Sequence, residues 1–334
     1  MKIVKLLAVA ASALALVVAS GPGAAADKVK IAMVVKSLGN GFFDAAHEGG
    51  NAAAKELGDV DLIYTGPTAP TAEAQIEVIN SLISQKVDAL VISANDKDAL
   101  VPIAKRAMQR GIKVISFDSG IAPAGRLMQL NPSNNELIGN KLAQMASDAA
   151  GGAGEIAILS ATAQATNQNI WIAEMKKALA KPEFSKLKLV NVVYGDDQSD
   201  KSYREALGLL RSNPNLKVIV APTTVGIVAS AKAVADEKLI GKVYVTGLGL
   251  PSEMAGHVKS GAVKSFAIWN PIDLGYTATE LAYAFVKGKA TGKEGEQIPA
   301  GRMGKITVEA NGEAAMAPPF TYDKSNVEQF AKVF

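Results

Sequence analysis

Short apolar runs rich in β-branched residues alternate with helix-periodic segments from Lys28 onward. The first run, residues 29–35, precedes a helical pattern that begins near Phe42. Residues 60–64 follow, then a helix from Thr71 that sets Ile76, Ile79, Leu82 and Ile83 on one face. The third run, residues 89–93, leads to a helix near Asp98 with Leu100, Ile103, Ala104 and Ala107 inward. Gly111 stops that helix, and residues 112–117 form the fourth run. Continuous apolar strands separated by amphipathic helices predict a parallel sheet covered on both faces.

The beat then restarts. Ser133 and Glu136 have the spacing of a capping box, which opens a helix carrying Leu137, Ile138, Lys141, Leu142 and Met145. Gly151-Gly152-Ala153-Gly154 is a turn before a strand at 156–159. Further helices are expected to start near Gln168, Ser199, Thr224 and Pro251, with strands at 189–194, 218–220 and 243–246 between them. Residues 89–118 and 217–249 share one layout of strand, polar turn, helix, glycine and strand, a weak internal repeat. A strand at 264–269, a helix at 273–287 and a strand at 305–308 complete the pattern. Residues 289–304, rich in glycine and lysine, suggest a surface loop. Two βα series imply an α/β fold of two doubly wound parallel-sheet lobes joined by a hinge. The first lobe runs from about residue 27 to 130, with the 129–133 stretch as its boundary.

Composition and charge narrow the setting. Residues 1–26 read as an export signal: Lys2 and Lys5, an uncharged apolar run over 6–19, then Ala24-Ala25-Ala26 before Asp27. The run is too short for a comfortable span, and no second stretch of spanning length follows. The chain has no cysteine, so neither a lipid on a cysteine nor a disulfide is available. About 308 residues remain after cleavage, enough for two medium lobes. The formal net charge of +3 falls to +1 once Lys2 and Lys5 leave. Such a near-neutral surface lacks the field that nucleic acid or an anionic membrane would require.

Parallel α/β sheets bind ligands outside the carboxyl ends of their strands. In the first series those ends carry residues 36–43, 65–68, Ala94-Asn95-Asp96 and Asp118-Ser119-Gly120. In the second they carry 161–168, 195–198, Pro222-Thr223-Thr224 and 247–250. The set is rich in amides, hydroxyls and glycine, with one lysine and several carboxylates. Planar polar groups that hydrogen-bond hydroxyls, beside rings that cover C–H faces, describe a sugar site. Aromatic residues are only 5% of the chain, yet Phe42, Phe43 and Trp269 fall at strand ends and Trp171 follows Asn167-Gln168. Taken singly, Lys36 serves equally as a solvated strand end, Asp118 as a turn cap, and Asn167 or Gln168 as a helix cap. Taken together, Lys36, Asp118, Asn167, Gln168 and Trp269 point to one cleft. Asp96, Asp196, Asp197 and Asp200 read as caps and solvated turns.

Enzyme signatures are missing. No phosphate-cradling loop, G-x-S-x-G elbow or H-E-x-x-H occurs, and Ser252 breaks the dinucleotide pattern begun by Gly247-Leu248-Gly249. His47 and His257 are isolated and lack metal spacing, so no metal or cofactor is expected. A glycosidase would need a second acid facing Asp118 across the cleft.

With these residues in place, the chain resembles periplasmic sugar-binding proteins of the ribose-binding type, in the branch of rhamnose and autoinducer-2 receptors. The resemblance rests on Lys36 with Gly41-Phe42-Phe43, Tyr64-Thr65-Gly66-Pro67-Thr68, residues 106–111 (Arg-Ala-Met-Gln-Arg-Gly), Ser116-Phe117-Asp118-Ser119, Asn167-Gln168-Asn169, Ala221-Pro222 and Trp269-Asn270. It implies that Lys36, Asp118, Asn167, Gln168, Pro222 and Thr224 line the ligand site. It also implies three crossings between lobes: residues 27–130 with 270–304 in one, 131–269 with 305–334 in the other. Autoinducer-2 receptors carry acids where this chain has Asn167 and Asn270, and alanine where it has Thr224. The general ribose-type pattern has an aspartate where this chain has Gly249. The departures favour rhamnose or a related deoxyhexose over autoinducer-2. The full expected site is Lys36, Phe42, Phe43, Asp118, Asn167, Gln168, Trp171, Pro222, Thr224, Trp269 and Asn270. The implied partners are a small sugar and the membrane permease and ATPase of an ABC importer, served by a soluble periplasmic monomer with no nucleic acid involved. Sugar-responsive repressors share this fold but begin with a helix-turn-helix, where this chain has an export signal.

Overall fold

The computed structural model describes residues 28–334, so the expected export signal lies outside the described residues. The first lobe is built on β1 (Val29–Val34), α1 (Gly41–Leu57), β2 (Val60–Thr65), α2 (Ala72–Ser84), β3 (Ala89–Ile92), α3 (Val101–Gln109), β4 (Lys113–Phe117) and β5 (Met128–Asn131). Ile31, Ala32, Met33 and Val34 expose no surface, and neither do Leu90, Val91 and Ile92. Strands buried on both faces give the unbroken apolar runs of the sequence. Alternate residues still serve opposite cores: Ile31, Met33 and Val35 pack in one, Ala32 and Val34 in the other.

The second lobe repeats the scheme with α4 (Asn135–Ala150), β6 (Gly154–Ser160), α5 (Thr166–Leu179), β7 (Leu187–Tyr194), α6 (Ser199–Ser212), β8 (Leu216–Ala221), α7 (Thr224–Asp236), β9 (Tyr244–Gly247), α8 (Pro251–Ser260) and β10 (Ser265–Ile268). The chain then enters α9 (Pro271–Val286), which packs on α1, β1, β3 and β4 of the first lobe. After α9 come β11 (Gln297–Pro299), β12 (Lys305–Thr307), β13 (Glu313–Ala315), β14 (Phe320–Asp323) and α10 (Val327–Phe330).

Five strands of the first sheet run in the order β2-β1-β3-β4-β5, and the second sheet runs β7-β6-β8-β9, all parallel. Isolated parallel bridges Val245–Val263 and Leu248–Ala267 set the β10 segment beside β9. In this winding the strand order reverses beside β1 in one lobe and beside β6 in the other. Ligands bind at such reversals.

Several expectations need correction. Asn134, one residue later than expected, caps α4: its Oδ1 accepts from the backbone N–H of Glu136 and Leu137 at 2.9 and 3.1 Å. Ser133 Oγ is instead buried without a partner among the described residues. Residues 289–304 are not simply a surface loop, because β11 pairs with β12 and buries Ile298, while Ala290 and Ala300 are also buried. The expected placement of 305–334 with the second lobe fails for β13, which adds a parallel sixth strand beside β5. Its Glu313 is held there by Arg126 at 3.1 Å and by Asn131 Nδ2 at 2.8 Å. Only then does the chain cross back, where β14 pairs antiparallel with β10.

The return of α9 to the first lobe depends on close helix contact with α1. A Cβ at Gly275 would lie 1.8 Å from Ala46 O, and one at Gly49 would lie 1.8 Å from Ile272 O. Glycine alone permits that approach. The contact matters for function because α1 begins with Phe42 and Phe43 and α9 begins two residues after Trp269.

Candidate functional site

The loops after β1, β4, β6, β7, β8, β9 and β10 converge on one cavity between the lobes. Lys36, Phe42, Phe43, Asp118, Asn167, Gln168, Trp171, Pro222, Thr224 and Trp269 all line it. Three helices, α1, α5 and α7, start at this cavity.

Asp118 occupies the centre of the polar wall. It follows β4 with φ +56°, a left-handed conformation uncommon for a residue with a side chain. Its Oδ2 accepts from Ser93 Oγ at 2.8 Å, and Lys36 Nζ lies 3.9 Å from the same oxygen. Its Oδ1 accepts from Asn167 Nδ2 of the other lobe at 2.9 Å. Lys36 Nζ in turn donates to Asn167 Oδ1 at 3.4 Å. Burial pushes the Asp118 carboxyl above its ordinary range, and the nearby Asp197 adds to the rise. Lys36 and the hydrogen bonds from Ser93 and Asn167 oppose the shift without cancelling it. Lys36 is therefore no solvated strand end: it is 5% exposed, lies beside Asp118 of its own lobe and bonds to Asn167 across the cleft.

Behind Lys36, a buried amide pair holds the first-lobe loops. Asn95 Nδ2 donates to Lys36 O at 2.9 Å, and its backbone N–H donates to Gln75 Oε1 at 2.9 Å. Gln75 Nε2 donates to Val35 O and Ser93 O at 3.1 and 2.8 Å. The loops after β1 and β3 are thus tied to one helix and to each other.

A third bond crosses the cleft. Asn40 caps α1 by accepting from Phe42 N at 3.0 Å, and the same oxygen accepts from Thr224 Oγ1 at 3.3 Å. Thr223 caps α7 and donates its hydroxyl to Asp197. Opposite this polar wall, Phe42 meets Phe43 and Trp269 edge-on at 5.3 and 6.2 Å, and Trp269 meets Trp171 at 5.4 Å. Leu248 and Ile268 complete the apolar side.

Asn270 is the one expected site residue that the cavity leaves out. Its Oδ1 accepts from Ile272 N and Asp273 N at 2.9 and 3.4 Å, and its Nδ2 donates to Asp273 Oδ2 at 2.8 Å. The side chain is committed to capping α9. Conversely, Asn40, Asp197, Thr223, Leu248 and Ile268 line the cavity without having been singled out. Asp197, expected in a solvated turn, has φ +50° like Asp118 and supplies a second carboxylate. No group of three or more metal-ligating side chains occurs among the described residues.

The model of the periplasmic binding protein domain matches residues 31–290. The chain belongs to that family. An ABC transporter solute-binding protein from Clostridium phytofermentas, solved with bound L-rhamnose, is 39% identical. It superposes with a TM-score of 0.88, covering 92% of this chain and 99% of that one. The D-ribose/D-allose-binding protein of Pseudomonas aeruginosa is 29% identical over 254 residues, 72% of this chain and 77% of its own length. A Clostridium saccharobutylicum receptor in complex with autoinducer-2 has a TM-score of 0.86 over 90% of this chain and 99% of its own. At 21% identity it speaks for the fold alone. This periplasmic binding protein has the type I fold, and its relatives bind sugars for transport. It is not an enzyme. No helix among the described residues is long and apolar enough to cross a membrane.

Proposed function

We propose that the protein captures L-rhamnose, or a closely related deoxyhexose, between its lobes and hands it to the permease and ATPase of an ABC importer. The observation that carries this reading is the Asp118–Asn167 bond across the cleft, in a cavity that Phe42, Phe43, Trp171 and Trp269 also line. An ionised carboxylate accepts from two hydroxyls at once, while the amide both donates and accepts. The apolar side formed by Phe42, Leu248, Ile268 and Trp269 suits a methyl group better than a hydroxymethyl. The rhamnose complex of the 39% identical relative supports the same choice. Hinge closure over the ligand is the known motion of periplasmic binding proteins. Lys2, Lys5, the apolar run and Ala24 to Ala26 support export before capture.

Calorimetry of residues 27–334 against deoxyhexoses, pentoses, polyols and autoinducer-2 tests this reading. L-Rhamnose or a close deoxyhexose is expected to bind most tightly. Tight autoinducer-2 binding with no response to deoxyhexoses would replace the sugar assignment.

A further inference from the structure

The two tryptophans at the cavity differ in their hydrogen bonding. Trp171 donates its indole N–H to Asn135 Oδ1 at 2.9 Å. Trp269 is 5% exposed, and its buried indole nitrogen has no partner among the described residues. Phe42 and Trp171 pack against Trp269 with ring planes at 89° and 62°, contacts that fix the indole without supplying a strong acceptor. An indole N–H can only donate, and buried donors are rarely left unpaired.

We infer that Trp269 is a specificity-determining residue that donates its indole N–H to an oxygen of the bound sugar, beyond serving as an apolar wall. The inference rests on the sugar-binding reading above. The same cavity holds Gln168, whose Oε1 is likewise buried without a partner. The protein therefore offers one unused donor and one unused acceptor where the ligand sits. A sugar hydroxyl or ring oxygen can accept from Trp269, and another hydroxyl can donate to Gln168. The donor is preorganised: Trp269 directly follows β10 and directly precedes Asn270, which is locked as the cap of α9. A sugar meeting it orders little that is not already ordered. An analogue lacking that oxygen would leave the indole unpaired, the situation in which polar sites discriminate most strongly.

The test uses the mature chain labelled with ¹⁵N and titrated with L-rhamnose. Two tryptophans give two indole N–H signals, assigned with Trp269→Phe. The Trp269 signal is expected to move and to exchange more slowly with solvent on saturation, while that of Trp171, already bonded to Asn135, moves less. Trp269→Phe keeps an aromatic ring and removes the donor, so affinity should fall about 5- to 50-fold. One monodeoxy-rhamnose should be penalised by wild type and not further by Trp269→Phe. If Trp269→Phe fails to fold, the wild-type spectrum and the deoxy series on wild type decide. An unmoved Trp269 signal on saturation with L-rhamnose, or equal affinity in both proteins, overturns the inference and leaves the proposed function standing. If another sugar of the panel binds in place of L-rhamnose, the same readings with that sugar decide. Absence of binding by every sugar overturns the proposed function, and this inference with it.

Discussion

Asn167 of the second lobe donates a 2.9 Å hydrogen bond to the Asp118 carboxylate of the first, so one side chain joins the lobes and faces the cavity. Asn167→Asp replaces that donor with a second acceptor and sets two carboxylates against each other at hydrogen-bond range. Binding of L-rhamnose is expected to weaken by at least tenfold. The free protein should spend more time open, which small-angle scattering reads as a larger radius of gyration. Added Thr224→Ala removes the hydroxyl that reaches Asn40, a further cross-cleft bond, and autoinducer-2 becomes the ligand to try on the pair. A rhamnose affinity unchanged in Asn167→Asp would show that this amide is not a ligand contact.

Asp118→Ala removes the acceptor for two sugar hydroxyls and leaves Lys36 buried without its counter-ion. Hydrogen bonds to charged groups contribute about 1.5–3 kcal/mol, so a loss of ~2–3 kcal/mol is expected. That corresponds to roughly 30- to 150-fold in affinity by calorimetry. Wild-type affinity in this variant would mean that the cavity is not the site.

The sequence pattern revealed the βα beat because strands such as β1 and β3 are buried on both faces and leave unbroken apolar runs. It revealed most of the cavity because strand ends are where parallel sheets expose loops. Asn270 was misplaced since an amide after a strand looks the same whether it caps a helix or meets a ligand; only its bonds to Ile272 and Asp273 decide. Asp197 was set aside for the converse reason, its bond from Thr223 being a tertiary fact. The three residues of β13 are too few to show a period, and Arg126 lies 187 positions from the Glu313 it holds. Gln75 did leave a signal: an amide four residues before Ile79, inside the apolar stripe of α2 and wholly buried.

Gly275→Ala should destabilise the fold and the site together. The added methyl would meet Ala46 O at 1.8 Å, a backbone atom that cannot rotate away, so α1 and α9 must separate. Overpacking of this kind typically costs about 1–3 kcal/mol. Thermal unfolding should shift down by several degrees, on the order of 2–4 °C per kcal/mol for a domain of this size class. Because α1 carries Phe42 and Phe43, rhamnose affinity should fall as well. A Gly208→Ala control inside α6, where a Cβ meets nothing within 4 Å, should leave affinity unchanged and raise rather than lower thermal stability.

The pH dependence of binding follows from the burial of Asp118. Its carboxyl is raised above the ordinary value of about 3.9, burial being the largest cause, with Asp197 adding to it and Lys36, Ser93 and Asn167 opposing. Well above the raised value the group is ionised, accepts from sugar hydroxyls and attracts Lys36. As pH falls through that value it takes up a proton, loses acceptor capacity and releases Lys36 from the pair. Affinity for L-rhamnose should therefore be full well above the raised value and fall on acidification, starting at a higher pH than an ordinary aspartate would set. The sign is opposite for protonation itself: a raised pKa means that the folded protein holds this proton more tightly than the unfolded chain. That stabilising contribution is complete below the unfolded value and is lost as pH rises through the folded one. Acid should thus weaken binding before it unfolds the protein on account of this group. Calorimetry and thermal unfolding across the acidic range separate the two curves. An affinity that stays flat until the protein unfolds would remove Asp118 ionisation from the binding mechanism.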